Sequence, residues 1–182
     1  LEESLEITRD SFRSAGALFL KGLALRALGD QEESARSLER SLDFGLSVDQ
    51  DETARLLLSA PIARQAQSYF EAGEYQLAIQ EWDRVILLVP EDAQPYLNRG
   101  IAYRKIGEPR LAVTDLLRSI RLNPEDASVF YNLGIAERER GSKHLVSAIE
   151  AYDEAIRLDP QYAAAYANRG IALSEIGHLE RA

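Results

Sequence analysis

Along most of this chain, large apolar and small residues recur at helical spacing, giving segments with one buried stripe. Leu18, Ile62, Tyr96, Phe130 and Tyr166 each stand four residues before a small residue: Gly22, Ala66, Gly100, Gly134 and Gly170. Seven residues after each small position comes another glycine, at Gly29, Gly73, Gly107, Gly141 and Gly177, with spacings of 44, 34, 34 and 36. A further small residue follows five positions later at Ser34, Ala78 and Ala112. Ala148 takes this place after two extra residues, and Ala182 takes it at the last position. Pro90, Pro124 and Pro160 end three of the units. The period predicts a helix, a glycine turn and a second helix, repeated, with neighbouring units stacked because none can bury its apolar face alone.

The pattern predicts a single array. Residues 1–14 form an N-terminal helix over about 2–13, with Leu1, Leu5 and Phe12 on one stripe, read as the second helix of an incomplete unit. Repeat 1 spans 15–48, repeat 2 spans 59–92, repeat 3 spans 93–126, repeat 4 spans 127–162, and a truncated repeat 5 occupies 163–182. The insertion 49–58, DQDETARLLL, is acidic at its start and leucine-rich at its end, which predicts a short helix or an extension of the next one, limited by Pro61. Small residues on the first helix face the small residue on the second so that the backbones approach closely. The turn glycines supply a left-handed helix-ending conformation. Asn123-Pro124 and Asp159-Pro160 stop the second helices, because proline disfavours helix at the residue before it.

Many positions per unit carry a family resemblance. The segment AQPYLNRGIAYRKIGEPRLAVTDLLRSIRLNP, residues 93–124, has the large, small, glycine, alanine and terminal-proline offsets of the tetratricopeptide repeat, and residues 126–160 repeat them. The resemblance covers residues 15–182 and is loosest in repeat 1, where Ser34, Leu38 and Leu46 replace the usual alanine, aromatic and proline. It implies an all-α, right-handed superhelical solenoid of antiparallel helix pairs, with the first helices lining a concave groove. Transferred offsets place Arg64, Gln67, Asn98, Ile101, Arg104, Lys105, Tyr131, Asn132, Ile135, Arg138, Asn168 and Ile171 on that groove. Asn98, Asn132 and Asn168 recur at one offset, a row that resembles the asparagine ladder of O-GlcNAc transferases. An amide offers both a donor and an acceptor to a peptide backbone. The groove offsets hold Arg26, Arg64, Arg104, Lys105 and Arg138 against Glu71, Glu139 and Glu175, while the chain as a whole carries −9. A mildly basic groove on an acidic protein favours a partner bearing carboxylates. Chaperone-binding members of the family hold a terminal carboxylate partly through an asparagine at the ninth position. This chain has Leu23, Gln67, Ile101, Ile135 and Ile171 there, which argues against that clamp.

Composition narrows the function. Hydrophobic residues make up 46% and charged residues 28%, enough for a continuous core. With no cysteine, disulfides and thiolate metal sites are excluded. His144 and His178 read as exposed turn residues, and pairs such as Glu32 with Glu33 or Glu137 with Glu139 read as solvated faces, so neither catalysis nor a cofactor or metal is expected. A pI near 4.8 argues against nucleic acid, and the absence of a polybasic helix or long apolar run argues against membrane. The expected role is a non-catalytic scaffold binding an extended or helical peptide segment of a partner protein. The alternative is the substrate-recruiting arm of a larger enzyme, such as a glycosyltransferase, whose catalytic domain lies outside this chain. Localisation is cytoplasmic by default. Leu173, Ile176 and Leu179 lack a covering helix, which predicts self-association through that end or continuation of the array.

Overall fold

The computed structural model describes the backbone of residues 2–179 and the side chains of residues 14–177. Leu1, Leu5, Phe12, His178, Leu179 and Ala182, as sequence assignments of side chains, lie outside the described residues. Among the described residues the fold is all-α: α1 (Glu2–Ala27), α2 (Gln31–Asp43), α3 (Val48–Glu71), α4 (Tyr75–Leu88), α5 (Ala93–Lys105), α6 (Pro109–Leu122), α7 (Ala127–Glu139), α8 (Leu145–Leu158) and α9 (Ala163–Leu179), with one 3₁₀ turn at Ser142–His144. Two compact units divide the chain, residues 1–62 and 63–182.

In the first unit α1 packs against α2. Gly22 makes this approach possible: a Cβ there would lie 2.7 Å from Leu38 Cγ. Ser34, which replaces the usual alanine, donates its hydroxyl to the Gly22 carbonyl at 2.8 Å, so the polar group at the contact is satisfied. Asp30 caps α2 by accepting from the Glu33 amide at 3.1 Å. The expected break between an N-terminal helix and repeat 1 does not occur, and α1 runs unbroken for 26 residues. No proline interrupts the segment, and Gly16 alone costs a helix only about 1 kcal/mol. Pro61 likewise fails to limit the insertion, because it sits inside α3. It forfeits one backbone bond, to the Leu57 carbonyl. Buried Ala54 and Leu58 before it and Ala66 after it anchor the helix on both sides.

The second unit stacks α4 to α9 in sequence order. Ser119 Oγ donates to the Ala93 carbonyl near the start of α5, while Asp115 meets Arg99 further along, so α5 and α6 run antiparallel. Between them Gly107 adopts φ +79°, with its N–H bonded to Arg104 O and the Glu108 N–H to Tyr103 O at 3.0 and 2.9 Å. This closes the helix and aims the chain back. Pro109 then opens α6, where a missing N–H costs nothing. Asp92 and Asp126 cap α5 and α7 through the Gln94 and Ser128 amides. A shared core of Leu97, Ala112, Val113, Leu116, Val129, Leu133, Ala136 and Ala151 joins α5 to α8. Its neighbour, Leu145, Ala148, Tyr152 and Ala172, joins α8 to α9. Burying a leucine such as Leu116 contributes about 1.5–3 kcal/mol.

Three expectations need correction in this unit. Gly177 ends no helix here, for α9 continues through it. Ile176 does not face open solvent, because it lies one turn beyond buried Ala172 and packs on the same core. Glu137 is buried, in contrast to the solvated face expected, and it accepts from Arg140 Nη1 at 3.0 and 2.8 Å.

Candidate functional site

The twelve residues assigned to the groove all fall in the second unit, and none is buried. Arg64, Gln67, Lys105 and Ile171 are exposed. Asn98, Ile101, Arg104, Tyr131, Asn132, Ile135, Arg138 and Asn168 are half-buried. The apolar strip is graded: Ile101 and Ile135 pack partly against the core, and Ile171 is 46% exposed.

Much of this face is already bonded to itself. Arg104 holds Glu139 in a fork of 3.1 and 2.9 Å and donates to Asn132 Oδ1 at 3.1 Å, tying α5 to α7. Asn132 also donates to the Ser128 carbonyl at 2.8 Å, so its amide is committed at both ends. Asn168 donates to the Tyr131 hydroxyl at 3.0 Å, and Arg138 donates to Glu175 at 3.1 Å, tying α7 to α9. Asn98 accepts from Gln94, and Gln67 donates to Glu71. Burial acts to lower the Arg138 pKa, and Glu175 together with the Tyr152 hydroxyl more than offsets it, so the net direction is upward. Such forks fix side-chain direction and order the face. Arg64 and Lys105 make no ion pair among the described residues.

The strongest electrostatic feature was not legible as a site in the sequence. Arg99, on α5, donates to Asp115 of α6 through Nε and Nη2, both at 2.7 Å, and to Asp83 of α4 through Nη1 at 2.5 Å. Its guanidinium lies 5.8 Å from the Tyr96 and Tyr103 ring centres. Burial acts to lower its pKa, and the two carboxylates reverse the direction and raise it. Asp115 is itself buried, so the fork is a structural bond between helix layers. The available signal was spacing: Asp83 and Asp115 stand 16 residues before and after Arg99.

His144 belongs to the 3₁₀ turn formed by the two-residue insertion, and its Nδ1 lies 3.3 Å from Glu137 Oε2. It is half-buried, not the fully exposed turn residue expected, because that turn folds back over α7. Among the described residues no group of three His, Cys, Asp or Glu is placed to hold a metal ion. No described helix is long and apolar enough to cross a membrane.

Comparison with known proteins identifies the architecture. Models described as tetratricopeptide repeats match residues 15–44, 66–107, 97–143 and 145–177. No curated protein matches the sequence. Among solved structures, the first TPR domain of human RPAP3 aligns with a TM-score of 0.64 at 19% identity, covering 68% of this chain and 96% of that one. The second TPR domain of human RPAP3, in complex with the HSP70 peptide SGPTIEEVD, gives 0.59 at 23%, covering 63% and 97%. The MamA protein gives 0.62 at 25%, covering 90% and 83%. With glycine turns, close-packed helix pairs and matched repeats in agreement, this chain belongs to the tetratricopeptide-repeat family.

Proposed function

We propose that this chain is a scaffold that binds a peptide segment of a partner protein along the first-helix face of its second unit. The observation that carries the reading is that all twelve assigned residues escape burial on successive first helices, although several are apolar or long enough to have been drawn into the core. Similar folds bind peptides, as in the RPAP3 domain with its HSP70 peptide. With Arg104 and Arg138 committed to carboxylates of the chain, the cations left for a ligand are Arg64 and Lys105, which favours a partner segment with acidic residues. The asparagine row, similar to that of O-GlcNAc transferases, takes a graded part. Asn98 keeps its donor and Asn168 its acceptor for a peptide backbone, while Asn132 holds Arg104 in place. Ile171 supplies the apolar contact.

Selection of peptides from a displayed library on the intact chain tests this. Peptides recovered should be enriched in Asp and Glu, and Lys105→Glu with Ile171→Asp should weaken them at least tenfold with helical circular dichroism retained. Selected peptides that bind the double variant as well as the parent place the binding surface elsewhere.

A further inference from the structure

The connection from Gly141 to the small residue Ala148 is two residues longer than the one from Gly107 to Ala112. The extra length forms the 3₁₀ turn Ser142–His144, closed by the His144 N–H on the Gly141 carbonyl at 2.9 Å and anchored by buried Leu145. It carries His144 back to the end of α7, where Nδ1 meets Glu137. Between this turn and the α5–α6 turn lies a cavity of about 270 Å³, lined by residues 107–110 together with Glu139, Arg140 and His144. That volume falls just under the about 300–1,000 Å³ of small-molecule sites, so it admits one small molecule.

Internal bonds account for part of the lining. Glu139 is held in the Arg104 fork. Arg140 gives Nη1 to Glu137 at 3.0 and 2.8 Å, but its Nε is buried with no partner, and Nη2 makes no bond among the described residues. Arg110 and Glu108 are the charges left over. Both are exposed, and neither makes an ion pair among the described residues. Glu108, at the N-cap of α6, makes no capping bond through its side chain. The turns at Gly29 and Gly73 carry Glu32 and Gln76 at the place of Arg110, so an open acid beside an open cation is particular to the turn at Gly107.

We propose that this cavity binds a small zwitterion of the α-amino-acid class. Charge complementarity selects it: a bare anion meets Glu108, a bare cation meets Arg110, and a molecule carrying both charges satisfies both. Arg110 and the unused donors of Arg140 take the carboxylate, and Glu108 takes the ammonium, each through charge-assisted bonds. The insertion fixes the far wall, because His144 and Arg140 share Glu137. None of the residues assigned to the groove lines the cavity, so the inference stands apart from the groove reading.

Titration of the intact, isotope-labelled chain with glycine, L-serine, L-glutamate and L-lysine, followed by amide chemical shifts, tests the proposal. At least one should bind saturably and shift Gly107, Arg110, Gly141 and His144, with Gly29 and Gly73 unmoved. Acetate and methylammonium, which carry a single charge, should bind at least tenfold more weakly at equal ionic strength. Arg110→Gln and Glu108→Gln, both at exposed positions, should each weaken the amino acid at least tenfold with helical circular dichroism retained. Removal of Ser142 and Lys143, which restores the shorter connection, should abolish binding, and Arg110→Gln decides the matter if that chain does not fold. Ile171→Asp should leave binding unchanged, which separates this site from the groove. No saturable shift with any of the amino acids, equal binding of acetate or methylammonium, undiminished binding to Arg110→Gln or Glu108→Gln, or loss of binding on Ile171→Asp would each overturn it.

Discussion

Gly134 tests how the helix pairs are fitted. Replacing a helix-interior glycine by alanine ordinarily stabilises by about 0.5–1 kcal/mol, because the glycine backbone loses more freedom on folding. At Gly134 the added Cβ would lie 2.6 Å from Tyr152 Cδ1 and 2.8 Å from Cζ, against a favourable carbon–carbon separation of about 3.5–4.0 Å. The ring cannot swing aside, since Tyr152 is fully buried against Leu145, Ala148 and Ala172. Overpacking of this kind costs about 1–3 kcal/mol, so Gly134→Ala should be net destabilising by up to about 2 kcal/mol. Gly100→Ala, where the nearest atom is Leu116 Cγ at 3.1 Å, should be close to neutral, and Gly170→Ala, with open space, should show the full gain. Urea unfolding followed by circular dichroism at 222 nm ranks the three. Thermal midpoints should follow, at about 2–4 °C per kcal/mol for a chain of this size. Tyr152→Leu, which places at this contact the residue that α6 uses against Gly100, should make Gly134→Ala nearly neutral, with a coupling of about 1–2 kcal/mol. If Gly134→Ala stabilises as much as Gly170→Ala, close approach does not constrain this contact and the packing argument fails.

Arg99→Met should destabilise by about 3–5 kcal/mol in denaturant titration, because it strands buried Asp115, while Asp83→Asn should cost less than about 1 kcal/mol, its side chain being 48% exposed. Gly107→Ala meets no atom within 4 Å, yet φ +79° should make it destabilising by about 1–2 kcal/mol, measured the same way. Burial raises the pKa of Tyr103, Tyr152 and Tyr162 above the ordinary tyrosine value of 10.0. The neutral form is then favoured in the folded chain, so this stability is present below pH 10 and lost as pH rises past it. Absorbance at 295 nm should show part of the tyrosine population titrating late, until alkaline unfolding releases it.

The apolar period and the small residues made the helix pairs legible, because a close backbone contact accepts few residue types and so leaves a mark at fixed spacing. Gly22, Gly100 and Gly134 lie at the helix-pair contacts, but each faces a large side chain of the second helix, Leu38, Leu116 or Tyr152, in place of the small residue expected; Ser34 and Ala112 approach Gly22 and Gly100 through their carbonyls. Gly177 stands at the same offset, yet it lies within α9. Pro61 shows the converse: its local preference ends a helix, and buried neighbours on both sides carry α3 through it.

By itself, then, the sequence determined the fold class, because burial of a stripe at 3.6-residue spacing is a local requirement. Tertiary structure decided which polar groups remain available. Arg104, Asn132 and Arg138 read as ligand contacts when taken one at a time, but each is bonded to a neighbour on the face, over separations of 28 to 37 residues between helices. Arg99 drew no notice in the pattern and turned out to bind two carboxylates across three helices. Charge pairing depends on distance in space, and a repeat places residues far apart in sequence side by side. Only the assembled helices could therefore show that Arg99 is satisfied by carboxylates 16 residues to either side of it.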